Sequence, residues 1–286
     1  MKLPSDIVQL FPPMLGERLV AEAHRYPGAI EEIRCRVGQA CTLLTAGSER
    51  AMADCVIQAS DLDYILERAT LFSFHAYAEE LRAGFVHTDG GGRIGVCGTI
   101  TENGLRGISS LTVRIPHEVR DCAKPLLPAL MEGELRSTLI VSPPGAGKTT
   151  LLRDLIRLLS ERGYRVSVAD ERGEISAMHR RRAQFDLGPY TDVFVGGRKH
   201  EACMMLLRAM NPQILAFDEI TAEGDIEAAL SAVGCGVTLL ATAHAADVEG
   251  LQRRPLYRRL LQEGVFAQAV EIRNRDGVRS YQVKAL

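Results

Sequence analysis

The sequence predicts an α/β fold: a P-loop-containing domain with a mainly parallel sheet at 137–286, preceded by a connector at 121–136 and a smaller α+β domain at 1–120. Two observations carry this prediction. In the C-terminal part, short apolar runs alternate with amphipathic helical segments, which is the pattern of βαβ units. In the N-terminal part, short helices mix with alternating strands, which is typical of antiparallel hairpins.

Two periodicities predict the elements of the N-terminal part. Apolar residues at helical spacing predict three helices, at 14–25, 61–69 and 74–81. Alternation of apolar and polar residues predicts four short strands, at 32–37, 85–87, 93–98 and 110–115. The glycines at 90–92 suit a hairpin turn better than a phosphate cradle, because no helix begins after them.

The C-terminal part predicts a parallel sheet that ends in a hairpin. Four apolar runs have the length of buried strands, at 138–142, 164–169, 214–217 and 237–241. Segments 266–273 and 278–285 flank a polar turn at 274–277, so they predict a closing β-hairpin.

Composition narrows the function classes. The 286 residues are 46% hydrophobic with a net charge of −2, which is ordinary for a globular protein and gives no basic excess for nucleic acid. Seven cysteines without a C-x-x-C pair suggest buried thiols in a reducing cytoplasm. No run of 18 apolar residues occurs, so any work at a membrane is expected to be peripheral.

Residues 142–149, Ser-Pro-Pro-Gly-Ala-Gly-Lys-Thr, have the sequence of a phosphate-binding loop. An apolar strand precedes them and an amphipathic helix follows, which is the context that a P-loop requires. Gly145 and Gly147 let successive backbone N–H groups point at phosphate oxygens. Lys148 would reach the β- and γ-phosphates, and the Thr149 hydroxyl would bind Mg²⁺. The loop therefore predicts ATP and Mg²⁺ as ligands.

The predicted ATP-binding residues are the loop and the next helical residue: Ser142, Pro143, Pro144, Gly145, Ala146, Gly147, Lys148, Thr149 and Thr150. Ser142 stands where the pattern usually has its first glycine. Serine tolerates positive φ poorly, so its effect depends on the local backbone. We expect the Pro-Pro-Gly segment that follows to absorb the change.

A second strand ends in the acids Asp218 and Glu219. Beside a P-loop, Asp218 is expected to hold Mg²⁺ and Glu219 to orient or deprotonate the attacking water. A third strand ends in Asp170 and Glu171 and is expected to face the same cleft. Glu171 could help to position water or metal; the alternative is a structural ion pair with Arg172.

Three further residues are candidates for sensing or for contacts between subunits. His244 ends a fourth strand, where it could sense the γ-phosphate; the alternative is a structural histidine. Arg198 and Arg208 are candidates for stabilising transition-state charge in a neighbouring subunit. For each arginine the alternative is a solvated surface side chain.

Together these motifs resemble the family of stage III sporulation protein AA, relatives of the secretion-superfamily ATPases. The resemblance rests on segments 31–38, 79–85, 92–98 and 108–115, and on the P-loop, 168–175, 204–220 and the His244 segment. It implies a RecA-like ATPase in a homo-oligomeric ring, a hexamer among the candidates. It further implies a cytoplasmic protein of the mother cell, docked peripherally to an integral membrane protein, that energises a sporulation channel to the forespore.

Two departures from the family pattern accompany Ser142. Thr221 stands where a glycine usually follows the Asp-Glu-Ile run, and the acidic box reads Asp-Glu-Arg. The alternative functions are a RecA-like nucleic-acid-stimulated ATPase and a nucleotide-gated scaffold. Low aromatic content, absence of tryptophan and negative net charge disfavour nucleic acid.

Overall fold

The structure is a computed structural model that describes residues 3–25, 29–45, 48–88, 92–101, 104–115, 117–179, 181–275 and 278–286. For 104, 105, 274, 275 and 278 only the backbone is described. The chain forms two compact units, Met1–His117 with His179–Gln184, and Glu118–Met178 with Phe185–Leu286. The division into domains at 1–120, 121–136 and 137–286 stays a prediction.

The first unit is built on a six-stranded antiparallel sheet, in the order β3-β2-β1-β6-β5-β4. Its strands are β1 Ile30–Arg36, β2 Ala40–Thr45, β3 Ser48–Val56, β4 Phe85–His87, β5 Arg93–Thr101 and β6 Gly104–Arg114. Its helices are α1 Ser5–Val8, α2 Pro13–Ala23, α3 Ala59–Ala69 and α4 Ala78–Arg82. Leu62 and Ile65 of α3 pack in one buried cluster with Ile33 and Leu43 of the sheet, because alternate strand residues face the same side.

Two details of the first unit differ from the prediction. The helix predicted at 74–81 begins only at Ala78, and residues 74–77 form turns. Leu71 and Phe72 have φ of 51° and 59°, so the chain reverses there and no helix continues from α3. Strands β2 and β3 were not predicted. The predicted turns at 89–92 and 274–277 lie largely outside the described residues.

The second unit contains a seven-stranded sheet in the order β13-β12-β7-β11-β10-β8-β9. Its strands are β7 Thr138–Ser142, β8 Val166–Asp170, β9 Thr191–Val195, β10 Ile214–Phe217, β11 Thr238–His244, β12 Gln268–Arg275 and β13 Val278–Ala285. Its helices are α5 Leu127–Leu130, α6 Lys148–Glu161, α7 Lys199–Ala209, α8 Glu223–Gly234, α9 Val248–Gln252 and α10 Pro255–Gln262, with a short 3₁₀ helix at Lys124–Leu126.

All neighbouring strands of this sheet are parallel except β12 and β13, so the predicted parallel sheet with a closing hairpin is confirmed. Both faces are covered: Val141 and Phe217 enter one buried cluster, while Ile140 and Ala216 enter the other. Polar groups are therefore accommodated at the strand ends, and parallel strands bring their carboxyl ends to one edge. In the described part of the chain, every helix is too short or too polar to cross a bilayer.

Candidate functional site

The P-loop connects the fully buried strand β7 to α6. Gly145 and Gly147 have φ of 75° and 98°, a left-handed backbone that only glycine adopts without strain. The helix begins at Lys148, directly after Gly147, so its free N–H groups and its dipole face the loop. These features suit the loop to an anion.

Ser142 is the last residue of β7 and pairs with His244 across the sheet. It is fully buried, and its backbone is not among those with positive φ. The position therefore does not require glycine, and the departure from the loop pattern is accommodated by the strand.

Lys148 is 5% exposed and uses its ammonium group within the loop. Its Nζ donates to the carbonyl oxygens of Ser142 and Pro143 at 3.1 and 3.2 Å, and to Nδ1 of His244 at 2.6 Å. Burial lowers the pKa of Lys148, and the carboxylates of Asp218 and Glu219 oppose that shift. The loop lysine is thus coupled electrostatically to the acids at the end of β10.

Asp218 follows β10 and accepts hydrogen bonds from two hydroxyl groups. Thr149 Oγ1 donates to its Oδ2 at 2.8 Å, and Thr242 Oγ1 of β11 donates to its Oδ1. The Thr149 contact joins the P-loop helix to the acidic strand end. It brings together the hydroxyl and the carboxylate that the sequence predicts as metal ligands.

Glu219 has a strained main chain. Its φ of 32° is positive, which costs free energy for any residue except glycine. Its N–H donates to Thr242 Oγ1 at 2.9 Å, and its carbonyl accepts from Nζ of Lys199. Both sides of this residue are therefore held by groups from other elements, which fix the direction of its side chain.

The Glu219 carboxylate lies 3.2 Å from Nε2 of His244 through its Oε1, and 3.9 Å from Nη1 of Arg172 through its Oε2. Nδ1 of His244 faces Lys148, so the other ring nitrogen, Nε2, is the one that faces Glu219. One hydrogen bond and one close contact consequently join the P-loop lysine, through His244, to the second acid of β10.

The acids that end β8 have separate surroundings. Asp170 is 2% exposed and accepts from the backbone N–H groups of Ile175 and Ser176 and from the Ser176 hydroxyl, at 3.1, 2.8 and 2.6 Å. Glu171 is partly exposed, and its Oε2 lies 3.6 Å from Nζ of Lys199. The alternative partner considered for Glu171, Arg172, instead lies near Glu219.

Lys199 is the buried cation that connects these acids. It begins α7, and its Nζ lies 3.4 Å from Oδ2 of Asp225 and 3.6 Å from Oε2 of Glu171, besides its bond to the Glu219 carbonyl. Asp225 also accepts from the N–H of Thr221 at 2.9 Å, so the turn after β10 is tied to the same cluster. In the sequence, Lys199 is only one of several basic residues near Arg198.

The two arginines predicted to act between subunits are exposed. Arg198 contacts Glu201 at 3.8 Å, one helical turn away. Arg208 stands near the other end of α7 from Lys199, about 14 Å along an axis that rises 1.5 Å per residue. The predicted roles of both arginines stay predictions.

The residues that could hold Mg²⁺ are Thr149 and Asp218, whose oxygens meet at 2.8 Å. Among the described residues there is no group of three or more His, Cys, Asp or Glu side chains suited to a metal. Mg²⁺ at nucleotide sites takes one or two protein oxygens together with phosphate oxygens and water, so this pair fits it.

Comparisons with solved structures show the fold. The ATPase DotB of Legionella pneumophila matches with a TM-score of 0.60 and 15% identity, over 99% of this chain and 82% of that one. The pilus retraction motor PilT with bound ADP matches with a TM-score of 0.63 and 15% identity, over 94% and 82%. At such low identity these matches establish architecture alone.

Comparisons of sequence show the family. Stage III sporulation protein AA of Bacillus subtilis (strain 168) is 34% identical over 283 residues, covering 96% of this chain and 92% of that protein. The family model described as sporulation stage III, protein AA matches residues 4–281. The chain therefore belongs to the stage III sporulation protein AA family.

Proposed function

We propose that this protein hydrolyses ATP in the presence of Mg²⁺, as the motor subunit of a secretion-type assembly. The observation that carries the proposal is the series of contacts from Lys148 through His244 to Glu219, beside the Thr149–Asp218 pair. A phosphate-binding loop, a candidate metal ligand pair and a candidate base thus occupy one edge of the sheet. The ATPase named among the structural matches has the same fold.

Each group has a part in the proposed reaction. The loop amides and Lys148 bind the phosphates, and Mg²⁺ held by Thr149 and Asp218 would neutralise their charge. The Glu219 carboxylate accepts a proton from the water that attacks the γ-phosphate. His244 orients that carboxylate and, through Lys148, links it to the loop. The contact between His244 and Glu219 therefore changes when Lys148 binds or releases a phosphate.

The family and the fold also support a proposal for the assembly in which the protein works. We place the protein in a homo-oligomeric ring on the cytoplasmic, mother-cell side, docked peripherally to an integral membrane protein of a sporulation channel. The family name supplies sporulation, and a structural match titled as a pilus retraction motor favours mechanical work. Exposed Arg198 and Arg208 are available to a neighbouring subunit.

Glu171 is proposed to assist in positioning the water.

The decisive variant is Glu219→Gln, which keeps the shape of the side chain and removes its basicity. We expect ATP affinity within about threefold of wild type and turnover lower by about a thousandfold. Glu263→Gln, an exposed glutamate in the same unit, is the control and should hydrolyse ATP normally. Unchanged turnover in Glu219→Gln would refute the role of this residue.

Two measurements test the assembly. Mass measurement with and without Mg²⁺-ATP should show an oligomer, and a persistent monomer under all conditions would contradict the ring. Hydrolysis with and without single-stranded DNA tests the competing function, a nucleic-acid-stimulated ATPase on the same fold. Strong stimulation by DNA would favour that function over the motor.

A further inference from the structure

Arg279, in the terminal strand β13, lies against the P-loop. Its guanidinium carbon and one nitrogen are each 3.0 Å from the place that a Cβ atom would occupy on Gly147, and its other terminal nitrogen is 3.4 Å away. A Cβ atom at this position would press on the guanidinium group. The loop therefore meets a cationic side chain that comes from more than 120 residues further along the chain.

The charge of Arg279 is available to a ligand. The side chain is exposed, and no carboxylate of the described residues lies within 4.0 Å of it. Arg273, on the other strand of the same hairpin, instead pairs with Glu271 at 3.1 Å. An arginine that touches a phosphate-binding loop without such a partner has its hydrogen-bond donors free for an anion.

The strand order indicates which part of a bound nucleotide this arginine would face. Asp218 follows β10 and His244 ends β11, so they approach the loop from one side of β7. Arg279 is on β13, two strands away on the opposite side of β7. Metal and attacking water act on the γ-phosphate at the acidic side. The arginine consequently lies on the side of the phosphates that are not transferred.

We propose that Arg279 binds the α- and β-phosphates of the nucleotide, together with the loop amides around Gly147. The planar guanidinium offers several N–H donors in a geometry that matches phosphate oxygens. The inference rests on the proposed function, since it assigns a further ligand to the same nucleotide. It makes the C-terminal hairpin part of the binding site, which no motif in the sequence indicates.

This role predicts that replacing Arg279 changes the affinity for nucleotide and leaves the rate of hydrolysis at saturation unaltered. ATP and ADP share the contacted phosphates, so the interaction is equal in substrate and product. Such uniform binding changes KM and leaves kcat unaltered. A residue acting on the γ-phosphate would have the opposite effect.

The test compares Arg279→Ala with Arg273→Ala as the matched control on the same hairpin. Calorimetric titration with ADP and with pyrophosphate should show Kd raised about 10- to 100-fold in Arg279→Ala, the equivalent of one lost charge-assisted hydrogen-bonding group. Arg273→Ala should bind both ligands as wild type does. At saturating ATP, kcat of Arg279→Ala should stay within about twofold of wild type.

Three results would overturn the inference. ADP affinity equal to wild type would show that Arg279 makes no contact, and weaker ADP binding with normal pyrophosphate binding would place it on the base or ribose. A large fall in kcat at saturation would place it on the transferred phosphate. If Arg279→Ala melts well below wild type, Arg279→Lys takes its place. It should also raise Kd for ADP and pyrophosphate without changing kcat, but by a smaller factor. A wild-type protein that binds no ADP would instead refute the proposed function.

Discussion

The ends of β8 and β10 carry the same two acids and put them to different uses. Both strands are fully buried and lie side by side, and each delivers Asp then Glu at the same edge of the sheet. Asp218 accepts from the hydroxyls of Thr149 and Thr242. Asp170 accepts from Ile175 and Ser176 in its own loop. The two strand ends therefore differ in the hydrogen-bond donors that surround the aspartate, although their sequences are alike.

The second acids differ in a related way, and Lys199 contacts both. It holds Glu171 by the side chain at 3.6 Å and Glu219 by the backbone carbonyl. The carboxylate of Glu219 therefore remains free to meet His244, whereas that of Glu171 is directed to a buried cation. On the proposed function, the end of β10 carries the chemistry and the end of β8 supports it.

The largest expected effect comes from Asp218→Asn. The amide cannot accept from both hydroxyls and bind Mg²⁺, so turnover should fall by about a thousandfold, about 4 kcal/mol in activation free energy. The half-saturating Mg²⁺ concentration in steady-state hydrolysis checks the assignment. Turnover within tenfold of wild type at the same Mg²⁺ would remove Asp218 from the metal site.

Asp170→Asn should act on stability. The amide has a single oxygen for the N–H groups of Ile175 and Ser176, so the free energy of unfolding should fall by about 2 kcal/mol. Urea denaturation measures this loss, with Asp192→Asn on the exposed part of β9 as the control. A variant of normal stability that hydrolyses no ATP would show instead that β8 carries chemistry.

Glu171→Gln should have the smallest effect of the three. Its side chain is 43% exposed and its carboxylate lies 3.6 Å from Nζ of Lys199, so solvent screens the interaction. Turnover should fall by about two- to fivefold, with the free energy of unfolding changed by less than about 1 kcal/mol. If steady-state kinetics showed turnover to fall as far as in Glu219→Gln, the ends of β8 and β10 would contribute equally to catalysis.

The sequence predicts the buried strands of the parallel sheet well. Strands β7, β8, β10 and β11 are continuous apolar runs because both faces of the sheet are covered. The strands not predicted include β3 and β9, each at one edge of its sheet, whose side chains are mostly exposed. A strand with few buried side chains lacks the hydrophobic periodicity on which prediction depends.

Prediction of the candidate site has a similar limit. Lys148, Asp218 and Glu219 belong to local patterns, so residue type and spacing indicate them. Lys199 and Arg279 reach the same region through the fold, and their immediate sequence contains no pattern that marks them. Thr242 lies in the same strand as His244, but its bonds to Asp218 and Glu219 depend on the register of β10 and β11.

The positive φ of Glu219 sets stability against activity at this position, because the backbone strain lowers stability while the carboxylate serves the proposed reaction. Glycine or asparagine would relax the backbone there, since both adopt the left-handed region more readily. Selection of variants for heat resistance alone would therefore favour replacement of the proposed base. Retention of glutamate at this position across an evolving lineage would be a record of selection for activity, made at the expense of a more robust fold.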